Sequence, residues 1–189
     1  ARASDKIHKK FFEVRGKNYT TQHITITDDR KVNPYASDMD RILAEKTRKR
    51  KARNHYSKGA VDVDFLLPVS GVRSGSFGRR RVFNGQPRNP HSGMDIAAPE
   101  GRSVKAAESG KVLYAGDLFF TGKVVYLDHG NGLLSLYAHL SKINVKKGQK
   151  IKRGEIIGKV GKTGRVTGAH LHWSVYLNGN AVDPALFIA

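Results

Sequence analysis

The chain has 189 residues, and its 34 Lys and Arg against 16 Asp and Glu give a net charge of +18. With no cysteine, neither a disulfide framework nor thiolate ligation is available, so any metal must be held by nitrogen and oxygen. No apolar run reaches the length of a membrane span, residues 1 to 30 carry no signal-peptide pattern, so an exported protein would be in trimmed form, and the charge directs the molecule toward polyanions.

Residues 1 to 60 read as a small α+β extension. Phe11 to Val14 and Gln22 to Ile26 predict two strands, the second alternating through Gln22, Ile24 and Ile26, joined as a hairpin across Gly16-Lys17-Asn18. After Val32-Asn33-Pro34, Ser37 with Asp40 three residues later predicts a helix start, followed by Met39, Ile42 and Leu43 at helical spacing and then by a strongly basic run, Lys46 to Arg53. One hairpin and one helix cannot form a core alone. The segment must pack on the rest of the chain, on a partner or on a preceding domain.

Residues 61 to 189 predict one all-β domain, an antiparallel sheet core with a groove. Short apolar runs at Val104 to Ala107, Lys111 to Ala115, Val124 to Leu127, Leu133 to Ala138 and Leu171 to Leu177 alternate with glycine-containing turns. The stretch from Val145 to Gly158 is similar to the strand and turn arrangement of lipoyl- and biotinyl-carrier domains. Such carriers present a lysine beside methionine or aspartate, and neither Met39 nor Met94 flanks a lysine. A carrier is therefore disfavoured.

Four histidines and an aspartate of this second part carry chemistry: His91 and Asp95 four residues apart, His139, and His170 and His172 two apart. Even spacing puts two side chains on one face of a strand. A catalytic zinc keeps three protein ligands and an open position, which His91, Asp95 and one of the terminal histidines would supply. Two imidazoles then remain for proton transfer and oxyanion stabilisation near neutral pH. Any one of these histidines, taken singly, would be read as a hydrogen-bonded structural residue; the set reverses that. His129, in Asp128-His129-Gly130-Asn131-Gly132, reads as a turn residue, and His8, His23 and His55 have no ligand-spaced partner. Asp183 before Pro184 reads as turn chemistry. Asp117 and Glu108 are single carboxylates without assigned chemistry.

The words around these residues are more specific than the spacing. Asn89-Pro90-His91-Ser92-Gly93-Met94-Asp95-Ile96-Ala97-Ala98-Pro99-Glu100-Gly101, Tyr137-Ala138-His139-Leu140-Ser141, and Gly161-Lys162-Thr163-Gly164 running to Gly168-Ala169-His170-Leu171-His172-Trp173 closely resemble the lysostaphin/LytM family of zinc endopeptidases, over roughly residues 65 to 187. The resemblance implies one zinc per chain on His91, Asp95 and His172, with His139 and His170 as the unliganded catalytic pair. None of the five is missing, unlike in relatives that have lost ligands and act as non-enzymatic activators. The implied substrate is bacterial peptidoglycan.

The stretch Arg80 to Pro90 looks like the Gram-negative group of that family, which implies a periplasmic enzyme cutting the D-alanyl to meso-diaminopimelate cross-link. Asn84 and Arg88 are expected there to meet substrate carboxylates or carbonyls, a structural turn being the alternative. Arg79-Arg80-Arg81 and Lys46 to Arg53 suit anionic envelope polymers, against a merely solvated basic face; with no nucleic-acid motif, no nucleic-acid partner is expected. The other function class is a cell-wall binding module, its cleft blocked by residues 1 to 60, that recruits or activates another hydrolase.

Overall fold

The structure, a computed structural model, describes Phe11, Glu13 and residues 16–188. In chain order it runs β1 (Thr21–Ile24), α1 (Met39–Arg53), β2 (Val72–Gly75), β3 (Arg80–Phe83), β4 (Gln86–Arg88), β5 (Met94–Ala97), β6 (Ser103–Lys105) and β7 (Gly110–Leu118). It continues with β8 (Gly122–Gly130), β9 (Leu133–Leu140), β10 (Lys142–Ile143), β11 (Lys150–Ile151), β12 (Ile156–Lys159), β13 (His170–Leu177) and β14 (Asn180–Val182). The strand expected over Phe11 to Val14 falls largely outside the described residues, and the hairpin with it.

The main sheet has the order β11-β7-β8-β9-β13-β5-β2, with β14 added beside β13, and every pairing in it is antiparallel. Alternation along its strands sorts the two faces. Leu171, Trp173 and Val175 of β13 join Met94, Ile96, Val125, Leu127 and Tyr137 in the main core, under the small β10-β12-β6 sheet and Phe65. Val124, Tyr126, Leu134, Leu136 and Tyr176 point the other way and meet Ala52 of α1. Both faces of β8 and β9 are thus covered. Continuous apolar runs such as Val124 to Leu127 follow from that double burial.

β1 pairs in parallel with β3, which forms an antiparallel hairpin with β4. This third sheet joins the N-terminal part to the segment that leads into His91. The helix begins differently from the expected start at Ser37. Ala36–Asp38 form a 3-10 turn, Asp38 accepts the Tyr35 backbone N–H at 3.1 Å, and Arg30 grips the same carboxylate. Ser37 stays exposed because Asp38 already holds the turn. The helix docks through Glu45, 3% exposed, which accepts the Phe119 backbone N–H at 2.8 Å and the Arg41 Nε–H at 2.7 Å.

His129 is likewise corrected. It lies inside β8, buried, with Nδ1 on the Ser109 carbonyl and Nε2 on Ser135 Oγ, both at 2.7 Å. The turn itself is confined to Asn131-Gly132, where φ values of 47° and 75° provide the positive pair that matches the strand twist. Polar residues pulled the reading of the turn three residues too early, to Asp128, because His129 finds buried partners outside the turn.

Candidate metal and catalytic site

The antiparallel register sets His172 of β13 opposite Asp95 of β5. Cross-strand neighbours on one face come into side-chain contact, and His172 Nδ1 lies 2.8 Å from Asp95 Oδ1. His91 is not on a strand, contrary to the same-face argument from its spacing; it precedes β5 and is fixed by backbone bonds from Gly78 to His91 and from His91 to Arg79. Its Nδ1–H donates to the Ser76 carbonyl at 2.8 Å, which leaves the Nε2 lone pair 3.0 Å from Asp95 Oδ1 and 2.9 Å from His172 Nδ1. On the far side of the His172 ring, Nε2 is 2.9 Å from Ser174 Oγ, two residues along the same strand.

Three electron-rich atoms therefore converge on one buried point, with the outer nitrogen of each imidazole held by an oxygen. Such outer contacts fix the tautomer and ring orientation of metal-binding histidines. Ligand atoms at zinc–nitrogen and zinc–oxygen distances would stand about 3.3 Å apart in a tetrahedral arrangement, close to the separations found. The residues present fit a divalent cation. Asp95 is also gripped from outside by Arg81 Nη2 at its other oxygen, 2.5 Å away. Burial pushes the Asp95 carboxyl up, and when His172 and His91 carry protons toward it their hydrogen bonds and charge hold it well below the usual carboxylate range.

His139 and His170 stand beside this cluster, their ring centroids 4.9 Å apart, and His170 Nε2 lies 3.8 Å from Asp95 Oδ1. His139 reaches the site by a backbone device. Core-facing positions on β9 include Leu133 and Tyr137, so simple alternation would send residue 139 into the core. The pairing slips there: Val125 faces Tyr137 but Lys123 faces Leu140, an extra residue in β9, and His139 takes φ 64°. A bulge of this kind re-aims a side chain. The His139 Nδ1–H donates to the Thr163 carbonyl at 2.8 Å and the His170 Nδ1–H to the Gly168 carbonyl at 2.9 Å, so both present a bare Nε2. Burial, and then charge on His170 and His172, pushes the His139 imidazole well below its ordinary range. Burial also lowers His172.

A cleft of about 560 Å³ reaches His91, His139 and His172, and a smaller one of about 270 Å³ reaches Asp95 and His170. Ile42, Lys46 and Lys49 of α1 wall the first, and Gln22 and Ile24 of β1 wall the second. Arg88 lines the larger cleft. Asn84 does not line either: it turns β3 into β4 at φ 48°, and its amide is taken by the backbone N–H and carbonyl of Ile26. Asp183 accepts the Ala185 N–H at the C-terminal turn. Arg81 had appeared in the sequence only within a basic run and within the Arg80 to Pro90 stretch, with no signal tying it to Asp95. Ser174 could have been found, since it shares the strand face of His170 and His172.

The model of peptidase family M23 matches residues 89–184. The peptidoglycan DD-endopeptidase ShyA of Vibrio cholerae serotype O1 is 43% identical over 111 residues, 58% of this chain and 26% of that protein. The chain thus spans about a quarter of the length of this curated relative. A protein from Pseudomonas aeruginosa solved as a peptidase M23 superposes with a TM-score of 0.71 at 44% identity, covering 81% of this chain and 63% of that one. A zinc containing peptidase from Vibrio cholerae gives a TM-score of 0.60 at 34% identity over 67% of this chain and 40% of that one. The matched span contains both strands and the bulge that gather the histidines around Asp95, and the chain belongs to peptidase family M23.

Proposed function

We propose that the chain is a zinc-dependent endopeptidase of bacterial peptidoglycan cross-links, with His91, Asp95 and His172 as metal ligands and His139 and His170 as the catalytic pair. The convergence of His91 Nε2, Asp95 Oδ1 and His172 Nδ1 within 3.0 Å of one another, beside two further imidazoles, carries this reading. Zinc held there supplies a Lewis acid that makes water nucleophilic near neutral pH and polarises the scissile carbonyl.

The chain's own residues do the rest. His139 and His170 have their Nδ1 protons committed to carbonyls, so either can take the proton of the attacking water at Nε2 and return it to the leaving amine. The second imidazole, once protonated at Nε2, is a donor toward the tetrahedral oxyanion. Ser76 and Ser174 hold the two ligand rings, and Arg81 keeps Asp95 turned inward.

The bond we assign is the amide between D-alanine and meso-diaminopimelate, in the periplasm; the DD-endopeptidase names of two relatives support a D,D bond. In the described part of residues 16–60, side chains wall the clefts rather than enter the five-residue cluster. That arrangement favours the hydrolase over a cleft-blocked recruiting module. Digestion of purified cross-linked peptidoglycan by the zinc-loaded protein, with fragments identified by mass spectrometry, tests the reading. Cleaved cross-links with the unaltered protein and none with His170→Ala are expected; intact cross-links with both, zinc being bound, would refute it.

A further inference from the structure

The larger cleft is strongly charged away from the metal cluster. Lys46, Lys49, Arg53, Arg81, Arg88 and Arg165 line it, and no carboxylate does. Arg81 is spent on Asp95. Among the described residues, Lys49, Arg53, Arg88 and Arg165 take part in no ion pair. The buried Nε of Arg53 has no hydrogen-bond partner at all.

Arg165 is the most constrained of these. Its guanidinium stacks between Phe83, 4.4 Å from the ring centroid, and Phe120, 4.7 Å away. Its backbone N–H is tied to the Phe120 carbonyl at 2.8 Å, and its one side-chain hydrogen bond is a long one, 3.4 Å, to the Lys31 carbonyl. It lines both clefts, the one that reaches His139 and the one that reaches His170. Burial, followed by the charges of Arg88 and Arg81, pushes it down to about 10. A half-buried cation stacked rigidly, crowded by like charges and left without a counter-ion is costly to fold around. A planar fork in that state is matched by a carboxylate.

We infer that Arg165, with Arg88 and Lys49, forms a subsite for the free carboxylate that neighbours the scissile amide of the substrate. The inference rests on the proposed endopeptidase activity and specifies what that activity selects. In a D,D cross-link the carbon bonded to the amide nitrogen also carries a carboxylate, whereas the internal amides of a glycine bridge have no charge beside them. The subsite thus favours the acidic cross-link and disfavours neutral bridges, and Arg165 acts as a specificity residue rather than a proton carrier.

The test uses two cross-linked peptide dimers, one with the free carboxylate beside the scissile amide and one with that group converted to a carboxamide, together with the corresponding product peptides. Product binding is measured by calorimetry and dimer cleavage as kcat/KM, on the zinc-loaded protein, Arg165→Gln, Arg165→Lys and, in case loss of the stacked guanidinium disturbs folding, Lys49→Gln. The unaltered protein should prefer the free acid at least tenfold in both readouts. Arg165→Gln should bring that ratio near one, Arg165→Lys should restore part of it, and Lys49→Gln should lower it severalfold. Equal handling of acid and amide by the unaltered protein, or an unchanged preference in the folded variants, overturns the subsite while cleavage itself leaves the endopeptidase standing. Preferential binding of the acid product with no cleavage of either dimer sustains the subsite and removes the endopeptidase.

Discussion

His139 pays for its position in backbone strain. A non-glycine residue at φ 64° sits in the left-handed region, at a cost of about 1 to 2 kcal/mol. Glycine relieves that strain where alanine does not. His139→Gly should therefore melt higher than His139→Ala, by an amount equivalent to about 1 kcal/mol, although both lose the buried bond to Thr163 and both should lose roughly 100-fold or more in kcat. Equal melting points of the two variants would show that the bulge is unstrained. Arg81 acts on the ligand carboxylate from outside. Arg81→Met should weaken zinc binding about 10- to 100-fold, read by competition with a chelating dye, and an unchanged affinity would make the pair incidental.

His129 illustrates a structural histidine with a pH consequence. Burial lowers it below the ordinary imidazole value, against the opposing charges of Glu108 and Asp128 and its bond to the Ser109 carbonyl. Phe65 packs on the ring at 5.1 Å. A lowered folded-state value means the folded chain favours the neutral ring. This contribution to stability is complete above the unfolded value of about 6.5 and is lost as pH falls from there toward the folded value. Chemical denaturation at pH 7.5 and pH 5 should show a smaller loss for His129→Gln than for the unaltered chain; an identical loss would place the acid sensitivity elsewhere.

Among the elements, β5 and β13 are the pair on which the site depends, and β2 packs against them closely. A Cβ at Gly75 would stand 2.7 Å from Asp95 Oδ2. Gly75→Ala must displace the carboxylate or Arg81, so zinc affinity should fall while β2 stays paired. A variant that binds zinc normally would mean the strand shifts freely. α1 is held differently, through one buried carboxylate. Glu45→Ala leaves the Phe119 N–H without its acceptor, at a cost of about 1 to 3 kcal/mol, and should open the wall that α1 gives the larger cleft. How legible the elements were depended on how local their determinants are. The runs that became β7, β8, β9 and β13 could be read because alternation or continuous burial marks them within a few residues. The parallel pairing of Thr21–Ile24 with Arg80–Phe83 could not, because its partners lie about sixty positions apart and neither strand carries a code for the other. Asn84 shows the same limit: its amide serves Ile26, a contact of 58 positions' separation. The five residues that the structure gathers were legible through their surrounding words, but how His91 and His139 reach the cluster was not, since one sits in a loop and the other on a bulge.

At the scale of the molecule, the proposed activity pairs a strongly basic protein with an anionic, solid substrate. A net charge of +18 attracts polyanions over roughly a Debye length, about 10 Å at 0.1 M salt and about 3 Å at 1 M. Sedimentation with peptidoglycan should therefore weaken steeply as salt rises, while kcat on a small soluble dimer should change little. The small sheet β1-β3-β4 and α1 contribute walls to the clefts, and so does Arg165 in the segment that leads into β13, while the antiparallel sheet holds the histidines.

In the proposed mechanism one zinc, held by His91, Asp95 and His172, works with His139 and His170 on a cross-link amide. The most direct measurement follows cleavage of a single defined D-alanyl to meso-diaminopimelate dimer by mass spectrometry, after chelator treatment and again after one equivalent of zinc is restored. The zinc content of His172→Ala and His170→Ala is measured in parallel. Cleavage should stop with the chelator and return with zinc, His172→Ala should fail to retain the metal, and His170→Ala should retain it but leave the dimer intact. Cleavage that survives the chelator, or zinc held as firmly by His172→Ala as by the unaltered chain, would contradict this mechanism.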